Sequence, residues 1–86
     1  MMKINTKEIL EKHCYTKLVY QRINKKLNTD FSKSEIEDFI RKILVATDLQ
    51  NYQKKGKNFY VSDKENNIRI TINSNTFRII TVDKFK

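Results

Sequence analysis

Tyr60, Arg69, Thr71 and Arg78, all in the last third of the chain, are of the types that recognise a phosphodiester. Arginine forks grip phosphate through two parallel hydrogen bonds, and a tyrosine ring offers a face on which a base can stack. Cations held there would also stabilise the charge that develops during in-line RNA cleavage. His13 is the only histidine. Its ordinary pKa suits proton transfer near neutrality, which makes it the candidate acid or base, although a histidine beside a helix end also serves in purely structural roles. Lys54-Lys55-Gly56-Lys57-Asn58 is the densest cationic run. Such a turn can meet phosphates through side chains and backbone N–H groups. It is not a nucleotide-binding P-loop, because the glycine spacing and the following helix are missing. Cys14 is the one cysteine and reads as a small buried apolar residue rather than a nucleophile. No spacing of His, Cys, Asp or Glu suggests a metal site, and no cofactor motif is present.

Charge supports the same direction. The 86 residues carry 18 Lys+Arg against 10 Asp+Glu, a net +8. The excess is denser after residue 50, where Lys and Arg outnumber Asp and Glu most strongly. A balance of this kind favours polyanionic partners through long-range attraction and counterion release. The expected partner is therefore nucleic acid, RNA before DNA, or a nucleoprotein complex, with an acidic protein as a further possibility. A single cysteine excludes an internal disulfide and fits a reducing, cytoplasmic setting. No apolar run approaches the roughly 20 residues that span a bilayer, so no membrane role is expected.

The elements that must position these residues divide the chain in two. One domain over 1–86 is expected, with a helical part at about 6–47 and a sheet part at about 50–84. Asn5-Thr6-Lys7-Glu8 resembles a capping box that opens a first helix. A second helix is predicted from about Thr16 to Leu27, with Leu18, Val19, Ile23 and Leu27 as its apolar stripe and Asn28 as a left-handed terminator. Ser32-Lys33-Ser34-Glu35 is a second capping box. Behind it Ile36, Phe39, Ile40, Ile43 and Leu44 recur at helical spacing. Then the period changes to two. Phe59 and Val61 alternate with polar neighbours, as do Ile68, Ile70 and Ile72. The fold class is α+β, with N-terminal helices packed on one face of a C-terminal antiparallel meander. Taking Ser74-Asn75 as a two-residue turn sets Ile70 opposite Ile79 and Thr71 opposite Arg78. That register puts Arg69 and Arg78 close enough to share one phosphate on the open face, around Ile80, with Asp83 on the other face.

Three stretches carry a resemblance: residues 15–27, residues 55–61 in the pattern G-K-N-x-Y-V, and residues 70–81 in the pattern I-T-x-N-x-x-x-[YF]-x-I-I-T. From about Cys14 to Lys84 the chain resembles a bacterial family known as domain of unknown function 3781. The resemblance implies a fold and no activity. A looser likeness is to small ribonuclease toxins of the barnase, EndoU, colicin and RelE type. It implies His, Arg, Tyr and Thr on an open sheet face, here His13, Tyr60, Arg69, Thr71 and Arg78.

Two readings follow. One is an RNA-directed domain, including a metal-independent toxin-type ribonuclease, in which Arg69 and Arg78 hold phosphate, Tyr60 stacks and His13 moves the proton. The other is a non-enzymatic nucleic-acid- or nucleoprotein-binding protein, of the kind that phage-borne inhibitors of host defence (anti-CRISPR proteins) exemplify. Lys54, Lys55, Lys57, Asn58 and Thr71 are the binding residues in both.

Overall fold

The structure is a computed structural model and describes residues 4–84. Three helices precede the sheet: α1 (Thr6–Lys12), α2 (Val19–Leu27) and α3 (Lys33–Ala46). A single 3-10 turn, Leu49–Asn51, leads into four strands: β1 (Tyr52–Lys55), β2 (Asn58–Asp63), β3 (Ile68–Asn73) and β4 (Ile79–Lys84). The strands pair in chain order as an antiparallel meander. The fold is α+β, as the change of hydrophobic period predicts.

Local capping bonds open α1 and α3, and a left-handed residue closes α2. Asn5 is the N-cap of α1, as the Asn5–Glu8 pattern predicts, and its side-chain oxygen accepts the Glu8 amide. The Ser32–Glu35 box is closed in both directions, with Ser32 Oγ accepting the Glu35 amide and the Glu35 carboxylate accepting the Ser32 amide. The bond from the Ser32 amide holds the Glu35 carboxyl below the usual carboxylate range. Asn28 ends α2 in the left-handed region at φ 57°, where an Asn side chain costs less than most. Asn24 fastens the bend to α3. Its amide oxygen accepts from Thr29 Oγ1 and the Phe31 amide, and its amide nitrogen donates to the Phe31 carbonyl. The predicted start of α2 at Thr16 is corrected: residues 16–18 form a turn, and Leu18 is 66% exposed rather than part of the stripe.

Val19, Ile23 and Leu27 of α2, and Ile36, Ile40, Ile43 and Leu44 of α3, pack on Tyr52, Phe59, Val61, Ile70, Ile72, Ile79 and Val82 of the sheet in one core. Full burial of one such side chain contributes about 1.5–3 kcal/mol. Tyr52 closes the layer by donating its hydroxyl to the Leu44 carbonyl at 2.7 Å.

The two sheet edges differ. On β4, Cys14 forms a one-residue parallel bridge with Arg78: its amide donates to the Phe77 carbonyl and its carbonyl accepts the Ile79 amide, both at 2.9 Å. Further along, a guanidinium nitrogen of Arg22 donates to the Ile80 carbonyl at 3.1 Å, and Lys26 pairs with Asp83 at 3.1 Å. Helix α2 thus runs beside β4 in the same direction. The far side of β1 meets no strand among the described residues and carries Lys54 and Lys55.

The β3–β4 register corrects the sequence reading. The connection spans residues 74–77, not two residues. The Asn73 side-chain oxygen accepts the amides of Asn75 and Thr76, the Asn73 carbonyl accepts the Phe77 amide, and Phe77 takes φ 60°. An irregularity between Thr71 and Ile72 then absorbs Ile80. Ile70 therefore lies opposite Val82, Thr71 opposite Thr81 and Arg69 opposite Asp83. A four-residue loop with an Asx-type bond wins because Ser74-Asn75 lacks the glycine that a tight two-residue turn prefers.

Candidate nucleic-acid interface

The outer face of the sheet is set by register. Residues flanking the buried positions form three transverse rows: Lys55, Asn58 and Asn73; then Gln53, Tyr60, Thr71 and Thr81; then Ser62, Arg69 and Asp83. The first row extends to Arg78, whose carbonyl accepts the Asn73 amide at 2.9 Å. Arg78 precedes the buried Ile79 and so projects from the opposite side. Strands lie about 4.8 Å apart, which puts Lys55 and Arg78 roughly 14 Å from each other across the row.

This row lies at the end of the sheet that holds the 56–57 and 74–77 turns. The two turns touch, since the Ser74 amide donates to the Lys57 carbonyl at 2.8 Å. Gly56 takes φ 60° at the first position of the β1–β2 turn, the conformation a two-residue hairpin demands there. The turn thereby presents Lys57 beside Lys55. The acidic residues of the strands and their turns, Asp63, Glu65 and Asp83, all belong to the other end. The sheet is therefore polarised along its strands, with a purely basic end and a mixed end.

Tyr60 is half-buried in the middle row, and its hydroxyl oxygen accepts from the Asn58 amide at 3.4 Å. Gln53, Lys55, Gly56, Tyr60 and Arg69 line a shallow depression of about 540 Å³. Tyr60 gives it an aromatic side, and Lys55 and Arg69 give it charge.

Other predicted site residues lie elsewhere. Arg69 and Arg78 do not converge. Arg69 is four residues from Asn73, roughly 13 Å along the strand, and its cross-strand neighbour is Asp83, which shares its face. This register puts Arg69 in the row of Asp83 and Arg78 in the row of Asn73, so the diagonal pairing predicted around Ile80 is not formed. Thr71 is 7% exposed and belongs to the packed sheet, not to a phosphate-contacting surface. Lys54 sits on the β1 edge with its ammonium on the Gly56 carbonyl at 3.1 Å, so it braces the turn.

His13 is on the helical side. In the parallel bridge Cys14 and Arg78 share a face, so the neighbours His13 and Tyr15 turn the other way. His13 Nδ1 lies 2.8 Å from the Leu10 carbonyl, and its ring meets Tyr15 edge-on at 5.6 Å. A carbonyl can only accept, so Nδ1 carries the hydrogen. The predicted grouping of His13 with Tyr60, Arg69 and Arg78 is not formed. Cys14, expected to be buried, is exposed, because the bridge commits its backbone and leaves its side chain outside.

Sequence reasoning missed Gln53, which stands in a four-residue strand too short and too rich in lysine to be read as one. Among the described residues no group of His, Cys, Asp or Glu could hold a metal ion, and no helix is long and apolar enough to cross a membrane.

A family model described as Protein of unknown function (DUF3781) matches residues 7–83. No curated protein and no solved structure matches the chain. The two sequence patterns that carry the resemblance, at 56–61 and 70–81, form the β1–β2 turn with β2 and the β3–β4 hairpin, which together build the basic end of the sheet.

Proposed function

We propose that this chain, which belongs to that family of unknown function, is a binding domain for single-stranded nucleic acid, RNA before DNA. The observation that carries the reading is the row Lys55–Asn58–Asn73–Arg78 with Lys57 in the adjoining turn, at a sheet end without a carboxylate of its own. Two cations separated by two amides suit a sugar–phosphate backbone crossing the strands. Lys and Arg meet phosphates, and Asn offers both donor and acceptor to sugar or base edges. Tyr60 lies one row inward, where a base splayed from that backbone can stack.

Binding is the better-supported half of the two readings made from the sequence. Cleavage without a metal needs an acid or base near the phosphate, and His13 faces the helices instead. A toxin-type ribonuclease is therefore the weaker proposal, and an inhibitor acting on a nucleoprotein complex is compatible with the same surface.

The test is fluorescence anisotropy of a labelled single-stranded RNA across a salt series. The expected result is affinity that falls linearly on logarithmic axes, together with intact RNA on a gel. Affinity independent of salt, or none at low salt, removes the proposal. RNA decay by a homogeneous preparation reinstates the ribonuclease.

A further inference from the structure

The helical side holds a cleft of about 520 Å³ that the proposed function does not use. It lies where the end of α1, the 13–15 segment, the start of α2 and the second turn of α3 meet. Its wall is an aromatic column. Tyr15 and Tyr20 stack with ring centres 5.3 Å apart and planes 14° apart, and His13 meets Tyr15 edge-on. Glu11, Glu37 and Asp38 supply three carboxylates, and Arg41 is the one permanent cation among the lining residues. In a chain of net +8 this is a local reversal of sign.

The polar groups here are incompletely used. The Tyr20 hydroxyl donates to Glu37 at 2.6 Å. The Tyr15 hydroxyl is buried and has no hydrogen-bond partner. Burial and the nearby Glu37 push the Tyr15 hydroxyl pKa upward, and burial with the Glu37 bond pushes that of Tyr20 up to about 12. Both stay protonated at neutral pH, and the Tyr15 oxygen keeps acceptor capacity. Among the described residues no ion pair joins Arg41 to Glu37 or Asp38, although they stand one helical turn apart. The outer aromatic already attracts a cation, since the Lys33 ammonium lies 5.4 Å from the Tyr20 ring centre.

We infer that this cleft binds a guanidinium cation, the head group of an arginine. A planar fork can lie along the tyrosine stack while its N–H groups reach two carboxylates at once. An ammonium is a point charge and would use the ring or the carboxylates less completely. Glu37 and Asp38 supply the acceptors, the Tyr15–Tyr20 stack supplies the aromatic wall, and Arg41 adds one positive charge to the lining. The inference is independent of the nucleic-acid reading, because the basic row faces the other side of the sheet.

The experiment is an NMR titration of the full chain with N-acetyl-arginine amide, with the neutral isostere N-acetyl-citrulline amide, and with a capped Gly-Arg-Gly peptide. Saturable shifts at Tyr15, Tyr20, Glu37 and Asp38 are expected with arginine and at least tenfold weaker binding with citrulline. The double variant Glu37→Gln, Asp38→Asn, which keeps an acceptor for Tyr20, should melt as the wild type does and lose the arginine response. Tighter binding of the peptide than of the amide assigns the guest to a protein arginine. Equal binding assigns it to a free guanidinium compound, and both outcomes support the site. Equal response to citrulline, shifts that never saturate, or shifts centred on Asp63 and Glu65 overturn it.

Discussion

Cys14 and Arg78 lie side by side as a one-residue parallel bridge on the edge of β4. Side chains paired in this way share a face, so Arg78 joins the outer row of the sheet while His13 and Tyr15 turn to the helices. This one contact divides the residues that the sequence suggested for a single site between two surfaces.

Removing the row should weaken nucleic-acid binding without weakening the fold. The triple variant Lys55→Ala, Lys57→Ala, Arg78→Ala should bind single-stranded RNA more weakly, with the salt slope reduced by about 2 if each residue meets one phosphate. Lys54→Ala should change the slope little, because its ammonium braces the Gly56 carbonyl. Anisotropy over a salt series, paired with a melting curve, reads both. A slope loss from Lys54→Ala one third as large as that of the triple variant would show that binding follows net charge and not the row.

His13→Ala should leave RNA affinity unchanged and cost about 0.5–1.5 kcal/mol through the lost bond to the Leu10 carbonyl. Urea midpoints and anisotropy are the measurements. Loss of an RNA-cleaving activity in this variant, with the fold intact, would place His13 at a reacting phosphate and refute its assignment to the helical side.

Ile40 is fully buried at the centre of α3. Ile40→Ala should cost about 2–5 kcal/mol, a large share of the stability of so small a domain. A denaturant midpoint close to wild type would mean that the helix buries a different face.

Alkaline pH should unfold the protein in a defined window. Burial raises the Tyr52 hydroxyl from 10.0 to about 12, and the neutral hydroxyl donates to Leu44. Below pH 10 the group is neutral in both the folded and the unfolded chain, so its contribution is fully present. Between pH 10 and about 12 the unfolded chain ionises first, and that stability is lost as pH rises. Urea midpoints from pH 9 to 12 should fall, and Tyr52→Phe should flatten part of the fall. A midpoint independent of pH in both proteins would sink this account.

Gly56→Ala should cost about 1 kcal/mol or somewhat more. No atom lies within 4 Å of an added Cβ, so the cost is the backbone conformation at φ 60°. A melting temperature unchanged by the substitution would show that the turn tolerates another conformation.

Much of this architecture was legible because it is local. The Ser32–Glu35 box, the stripe from Ile36 to Leu44 and the alternation of Ile68, Ile70 and Ile72 each fix an element from neighbours within a few residues. What failed depends on contacts distant in sequence. Nothing near Phe77 announces a left-handed aromatic. The conformation is secured by the Asn73 bonds, by packing against Phe59 at 6.2 Å and by the Cys14 amide on its carbonyl. The length of that loop then decided the register and the neighbours of both arginines. Of the candidate site, the lysines around Gly56 and the placement of Tyr60 were readable from turn chemistry and alternation. The separation of Arg69 from Arg78 was not, because one wrong turn length displaces every pair beyond it.

The unequal edges of the sheet have a consequence for concentrated solutions. Growth of a sheet from copy to copy needs an unblocked margin on each molecule. Here Cys14 and Arg22 shut the β4 margin, and two copies meeting along β1 would bring Lys54 and Lys55 against their own kind. Fibrillation along the sheet is therefore opposed by chain at one margin and by charge at the other. Only the second barrier weakens with added salt, so dilute buffer, not strong brine, is the medium in which this protein should store well.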